Sequence, residues 1–422
     1  MNKVLIVYHF YYPDDVVSAL EISDLSEGLV ERGYEVEVWA GNRACHDSSI
    51  TYGPALESIK GVKVRRFWRP AFNQHSFFGR ILNSIWLQKV WFWKLLFTPS
   101  LKPDIILTGT DPLFLILATP FFKLIRLKAK MVHWAFDLYP EVAIADGILT
   151  ENGLLDRMIR PFLRWAYGKC DLIADLGPCM RDRLSRYPGG KRVTLTPWAL
   201  EEPAAPLIPD PAERALVFGP NNGMGSGMKN EKHNMAPLLC LMYSGSFGRA
   251  HEYELTLKLA RLLEDRGVVS YSARGSRLGD LKREVTPNDT NVRFVDFAPP
   301  DRLSARLSAP DIHIVSLRPQ WSGTVVPSKF FGALAAGRPV LFEGSNECSI
   351  ARWITEYKVG WHLRADSLDS IASELEAFGK NEARKQTMFK HCNEIYHMHF
   401  SKKTVMDKWD RALKVILGMS EK

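Results

Sequence analysis

The sequence predicts an α/β protein made of two Rossmann-like, doubly wound parallel-sheet domains. Three observations predict it. Continuous apolar runs of strand length alternate with segments whose apolar residues recur at helical spacing, the pattern of a parallel sheet covered on both faces. The alternation stops once, over residues 201–236, and then restarts. A chain of 422 residues also exceeds what one ordinary core supports.

The first half opens on KVLIVYHFYY, an apolar strand. Ile22, Leu25 and Leu29 follow at helical spacing before Gly33, and EVEVWAGN alternates as a second strand. DIILTGT, AKMVHWAFD, CDLIADLG and RVTLTPWA supply further strands, with helical segments between most of them. Over 201–236, EEPAAPLIPDPAE holds four prolines and GPNNGMGSGMKNEKHN is rich in glycine and asparagine. This reads as a linker followed by a flexible loop. The glycine cluster lacks the Gly-Lys-Ser/Thr ending of a nucleotide loop. In the second half LLCLMYSGS, VVSYSARG, VRFVDF, DIHIVSL and RPVLFEG are strands, and Leu255, Leu259, Leu262 and Leu263 mark a helix ending near Gly267. The expected domains are 1–200, a linker and loop over 201–236, and 237–400. The tail YHMHFSKKTVMDKWDRALKVIL reads as one last helix, with 401–422 returning to the first domain. Two such domains about a hinge place a cleft at the carboxyl ends of their sheets.

The six cysteines are scattered without metal-type spacing, which suits a reducing compartment. The start is a strand and loop rather than a signal peptide, and no apolar run approaches a membrane span, so a cytoplasmic protein is expected. The net charge of +8 is uneven. Residues 60–135 carry thirteen Lys/Arg against two acids, or +11, leaving −3 for the rest. The same window holds five of the twelve tryptophans. Within it, FFGRILNSIWLQKVWFWKLLF (77–97) interleaves Trp86, Trp91 and Trp93 with Arg80, Lys89 and Lys94. That is the composition of a helix in a membrane interface, and the bland alternative is a core helix with snorkelling lysines. The charge asymmetry asks for an acidic partner. No RRM, KH, zinc-finger or helix-turn-helix pattern supports nucleic acid, and an anionic membrane surface explains the aliphatic bulk better.

Two motifs carry the chemistry. YSGSFGRAH (243–251) turns through Gly245, Ser246 and Gly248 towards the Leu255 helix; its glycines allow close backbone approach, and Arg249 offers a fork for diphosphate oxygens. Its ordinary reading is a tight βα turn with an exposed arginine. WSGTVVPSKFF (321–331) opens a helix with Pro327, Ser328 and Lys329. A cation in a first helical turn opposes the dipole, so it is either a solvated lysine or a phosphate ligand. Two cationic βα turns in one domain would clamp a diphosphate without a metal. In WAFDLYPE, Asp137 ends a strand, where it either caps a turn or meets a sugar hydroxyl as a base. His133 reads as a core histidine, and HMH (397–399) is weak evidence for a metal.

These stretches, in this order, resemble the retaining family-4 glycosyltransferases of the GT-B fold. The likeness is greatest to the branch that builds bacterial surface polysaccharides, such as O-antigen and capsule, and that includes fucosaminyltransferase-like enzymes. It rests on HFYYPDD…SDLSEGLVERGYEVEVWAG, WAFDLYPEVAIADGIL, YSGSFGRAHEYE and VPSKFFGALAAGRPVLF. The resemblance implies a nucleotide-diphospho-sugar, a UDP-sugar before others, in the second domain. It implies a lipid-linked saccharide acceptor, polyprenyl-diphosphate-linked, on the first. Transfer would retain configuration, with no metal or other cofactor, by an enzyme of the hexosyltransferase class peripheral on the inner membrane face. Arg249 and Lys329 would neutralise the leaving diphosphate. Gly275 and Phe297 would lie near the nucleoside, Gly323, Thr324, Val326, Pro327 and Ser328 near sugar and phosphates, with His251 in the same binding set. The chain departs from the family where two glutamates eight residues apart are usual and Thr324 and Gly332 stand instead. A first-loop glycine is replaced by Val16 or Val17, and Pro197-Trp198-Ala199-Leu200 stands where relatives have Asn-Trp-Ala-Asp. Two other functions fit the same fold, a nucleotide-sugar epimerase and a non-catalytic partner that binds nucleotide sugar.

Overall fold

The computed structural model describes residues 1–74, 76–219 and 239–419. Two compact units emerge, one of Met1–Thr196, Gly323–Val325 and Val405–Lys422, the other of Pro197–Ser322 and Val326–Thr404.

Unit 1 is built on an eight-stranded sheet. Its elements run β1 (Lys3–Val7), α1 (Val17–Glu31), β2 (Glu35–Gly41), β3 (Leu56–Ile59), β4 (Val62–Phe67), α2 (Phe77–Leu96), β5 (Ile105–Thr108), α3 (Thr119–Ile125), β6 (Lys130–Trp134), α4 (Glu141–Ala145), α5 (Leu154–Tyr167), β7 (Leu172–Asp175), α6 (Pro178–Leu184) and β8 (Lys191–Thr194). The strand order is β3-β4-β2-β1-β5-β6-β7-β8, parallel except for the β3–β4 hairpin. That hairpin was not read from the sequence, because its strands are short and lie at the sheet edge. On one face Leu87, Trp91 and Leu95 of α2 close over Leu5, Val7, Ile106 and Met131.

In unit 2 the elements are α7 (Pro211–Phe218), β9 (Leu239–Ser246), α8 (Glu254–Leu263), β10 (Gly267–Arg274), α9 (Leu278–Glu284), β11 (Val292–Val295), α10 (Leu303–Ser308), β12 (Ile312–Ser316), α11 (Lys329–Ala335), β13 (Val340–Glu343), α12 (Ser349–Tyr357), β14 (Gly360–Leu363), α13 (Leu368–Gly379) and α14 (Glu382–His399). Its sheet is wholly parallel, in the order β11-β10-β9-β12-β13-β14.

Two sequence expectations need correction here. The segment read as linker contains α7, whose Asp210 cap accepts from the Ala212 and Glu213 amides at 2.9 and 3.2 Å. Arg214 then ties that helix to Asp311 at 3.1 Å, deep in the unit, a tether that proline counting does not reveal. The expected flexible loop, from 220 onward, lies outside the described residues. The tail is two helices rather than one. α14 stops at His399, and α15 (Lys402–Ile416) starts afresh after Phe400, whose ring is buried among Phe330, Phe331 and Trp353. α15 packs on unit 1: Trp409 meets Trp134 edge to face at 5.1 Å, Met406 fills the hollow beside Gly28, and Tyr34 donates to Asp410 at 2.9 Å.

Candidate functional site

In an open parallel sheet, ligands gather at the carboxyl ends of strands where the order reverses. The reversal lies between β9 and β12 in unit 2 and between β1 and β5 in unit 1.

In unit 2 that end is organised around Lys329, the first residue of α11. The sequence left a solvated lysine open, but the side chain is partly buried. Loss of solvent pulls its ammonium pKa down to about 8. Its stem crosses the backbone at Gly245, where a Cβ would lie 2.7 Å from the Lys329 Cε. Gly245 also has φ +122°, so it is a position only glycine fills easily. The Lys329 Nζ lies 5.2 Å from the Tyr243 ring centre, a cation–π contact at the strand end. His251 is buried, and its Nδ1 donates to the Ser316 carbonyl at 2.8 Å, tying the turn after β9 to the end of β12. Burial, with Lys329 nearby, drives the His251 pKa down to about 3, so the imidazole stays neutral.

Around this centre Ser246 and Arg249 are exposed, and Gly248 has open space where a side chain would go. Gly275, with φ +143°, backs onto the Phe247 carbonyl, and the Arg274 guanidinium covers the Phe297 ring at 4.4 Å. Val326 and Pro327 are buried beneath Ser328, which makes no side-chain cap for α11. The helix following the glycine turn, α8, does not present an open N-terminus. Glu343, at the end of β13, accepts from the Leu255 and Thr256 amides at 2.8 and 3.1 Å and from the Thr256 hydroxyl at 2.6 Å. Burial raises that carboxyl to about 7. Sequence reading missed this cap because Glu343 lies 87 residues from Thr256.

Gly323 and Thr324 lie on the chain's short excursion into unit 1. They were read with the residues near sugar and phosphates, and of that set these two group with unit 1. Thr324 is buried, and its carbonyl accepts from the Leu138 amide at 3.0 Å, pinning the turn that carries Asp137. A Cβ on Gly323 would press on the Cys179 carbonyl at 2.6 Å.

Asp137 follows β6, and burial, reinforced by the charge of Asp111 and opposed by Arg80, raises its carboxyl to about 6. Asp111 follows β5 and accepts from the His9 Nδ1 at 3.1 Å, while the His9 amide donates to the Asp111 carbonyl at 3.1 Å. Arg80, from α2, donates to the Tyr139 hydroxyl at 3.1 Å. Gly109 is needed beside them, since a Cβ there would enter the Tyr8 ring at 2.3 Å. Asp111, His9, Arg80 and Tyr139 were not singled out from sequence. Asp111 stands three residues beyond its strand, as Asp137 does beyond β6, and that parallel was the available signal. With its pKa raised to about 6, the Asp137 carboxyl is a stronger base than an ordinary carboxylate and, once ionised above that pH, can accept a proton from a bound hydroxyl. His133 is a core residue as read, with its Nδ1 on the Thr108 hydroxyl at 3.0 Å. His397 meets the Pro203 carbonyl at 2.9 Å, and His399 stacks on Tyr357.

On α2, Trp91 is fully buried, which overturns its expected membrane contact. Trp86, Lys89 and Trp93 are exposed and Lys94 is half-buried. No helix among the described residues is long and apolar enough to cross a membrane.

Residues 19–198 match the family described as glycosyl transferase 4-like domain. Over 297 residues the chain is 23% identical to a Pseudomonas aeruginosa protein named "Probable glycosyltransferase WbjE", covering 69% of this chain and 70% of that one. Sucrose-phosphate synthase from Thermosynechococcus elongatus superposes with a TM-score of 0.69 at 14% identity, covering 100% of both chains. The Anabaena protein Alr3699/HepE, in complex with UDP and glucose, superposes with a TM-score of 0.64 at 11% identity, covering 98% of this chain and 100% of that one. The chain thus pairs a match to the glycosyl transferase 4-like domain over residues 19–198 with the two parallel-sheet α/β domains of the GT-B glycosyltransferase fold.

Proposed function

We propose that this chain is a glycosyltransferase that takes a sugar from a nucleotide-diphospho-sugar, with a UDP-sugar as the first candidate. The acceptor is a membrane-bound, polyprenyl-diphosphate-linked saccharide of surface polysaccharide synthesis, and transfer retains configuration without a metal. The observation that carries the reading is Lys329. A desolvated ammonium, laid over Gly245 at the reversal point of a parallel sheet, gains most from a dianionic ligand. Arg249, exposed on the turn after β9, supplies the second cation for the leaving diphosphate. Asp137 faces the acceptor hydroxyl in unit 1. The UDP complex of the Anabaena protein supports the choice of nucleotide. The exposed stripe of α2, with Phe78, Leu82, Ile85, Trp86 and Trp93 at helical spacing, supports a peripheral membrane site for the acceptor.

The test is a thermal-shift panel of nucleotide sugars followed by turnover on a lipid-linked acceptor. UDP-sugars should raise the melting temperature by mass action, whereas the Lys329→Met variant should show a much smaller rise. A panel in which no nucleotide stabilises wild type would remove the reading. Activity should also survive EDTA. Loss on chelation with recovery on adding magnesium or manganese would show that a metal does the work assigned to the two cations.

A further inference from the structure

The sequence assigns membrane contact to one helix, but the structure exposes a second apolar helix face beside it. α5 reads LLDRMIRPFLRWAY and buries Leu163, Ala166 and Tyr167 against unit 1. A soluble helix that buries one stripe should be polar on the other. This one is not. Leu154, Leu155, Met158, Phe162 and Trp165 fall within about 100° of arc at 3.6 residues per turn, and all are exposed, Leu155 at 63% and Phe162 at 61%. The sole acid of the helix, Asp156, is buried and held by Arg160 at 2.9 Å. Arg157 and Arg164 are exposed together along one edge of the apolar face, and Lys169 follows the helix end.

This face continues into α2. Trp165 meets Phe121 of α3 edge to face at 5.6 Å, Phe121 meets Phe92 of α2 at 6.2 Å, and Phe92 meets Trp93 at 5.4 Å. Leu124 of α3 and Leu127 just beyond it are exposed between the two longer helices, with Lys128 beside them. An unbroken aromatic line across three helices is larger than the scattered apolar residues of an ordinary surface, and patches of this kind mark interaction sites. Basic side chains accompany the line, with Lys89 on α2, Lys128 after α3, and Arg157 and Arg164 on α5, and the exposed acid just before α5, Glu151, is paired with Arg186 at 3.7 Å. Tryptophans at an apolar rim with basic neighbours match the headgroup layer of an anionic bilayer in both polarity and sign.

We propose that α5, joined to α2 through α3, is a second membrane-docking helix, and that its occupant is the surface of an anionic lipid bilayer. This rests on the membrane reading of α2 above and extends it. Neither helix alone needs to bind tightly. Two apolar faces engaged at once add their contributions, so removing either should weaken binding far more than its share of residues suggests.

The experiment is co-sedimentation of the full chain with vesicles of phosphatidylcholine and phosphatidylglycerol in a 3:1 ratio, against phosphatidylcholine alone. Phe162→Ser/Trp165→Ser should bind anionic vesicles on the order of tenfold more weakly than wild type. Because Trp165 also packs on Phe121, a second variant, Leu155→Ser/Met158→Ser, changes only fully outward residues and should show the same loss with an unchanged melting temperature. If wild type ignores anionic vesicles at low salt, the membrane reading of α2 fails and takes this proposal with it. If wild type binds and both α5 variants bind equally well, α2 stands and α5 is refuted. If the variants instead turn a dimer into a monomer without changing vesicle binding, the face is covered by a second copy of the chain, which also overturns the proposal.

Discussion

Lys329 offers the sharpest test at the scale of one residue, because its proton and its proposed ligand are coupled. With its pKa pulled down to about 8, the ammonium is charged below that value and loses its proton above it. A diphosphate favours the charged form, so binding above pH 8 takes up a proton and nucleotide affinity should fall, approaching tenfold per pH unit. Lys329→Met should bind UDP more weakly by about 1.5–3 kcal/mol, the worth of a charge-assisted bond, and should lose the slope. Isothermal titration from pH 7 to 9.5 reads both. Equal slopes in wild type and variant would move the diphosphate elsewhere. The pKa of Asp137 is shifted the other way, upward. Its folded pKa of about 6 lies above the ordinary carboxylate value, so the folded chain holds a proton that the unfolded chain releases. Its contribution to stability is complete below the ordinary value and is lost as pH rises through 6. Asp137→Asn should flatten that part of the melting-temperature profile. If Asp137 accepts the acceptor's proton, turnover should rise with pH through about 6 in wild type and stay low throughout in the variant.

Among elements, the turn after β9 decides whether the donor site forms. Gly245→Ala would place a methyl 2.7 Å from the Lys329 Cε at a φ of +122°, so the lysine stem must move and the backbone is strained. Stability should fall by about 1 kcal/mol or more, and UDP binding should drop to the level of Lys329→Met. A variant that keeps full affinity would show that the lysine does not need its path across the glycine. The same elements show what a sequence can reveal. Runs such as LLCLMY are apolar at every position, and β12 keeps Ile312, Ile314 and Val315 in a strand buried throughout, because both faces of these strands are covered, so the central strands were legible. The edge strands β3 and β14, and β4 beside β3, carry no such run. The 77–97 helix was legible as a helix, but it is apolar all round, so periodicity could not tell buried Trp91 from exposed Trp93. α5 was missed for a different reason: it carries a single apolar stripe, and only the burial of Leu163 and Tyr167 on its other side shows that this stripe faces outward. Lys329 and Gly245 could be named because each sits in a local motif. The His9–Asp111 pair could not, since its members lie 102 residues apart and meet only when β1 and β5 become neighbours.

For the molecule as a whole, the order of the chain and the order of the units differ. Unit 1 begins at Met1 but takes its last helix from beyond unit 2, so one cut cannot separate the two units intact. That helix is well anchored. Trp409 is fully buried against Trp134, Met406 occupies the space that Gly28 leaves, and Arg32 pairs with Asp407 at 2.6 Å. Removing a buried aromatic of this size costs about 3–5 kcal/mol, a large fraction of the stability of an ordinary domain. A fragment ending at Thr196 should therefore expose Trp134 and melt without a cooperative transition. The same fragment joined by a flexible linker to residues 402–419 should regain one, and Trp409→Ala in that fusion should abolish most of the gain. Circular dichroism melts of the three proteins decide the matter. A bare fragment that melts as cooperatively, and at the same temperature, as the fusion would mean that α15 only rests on unit 1 and does not complete its core.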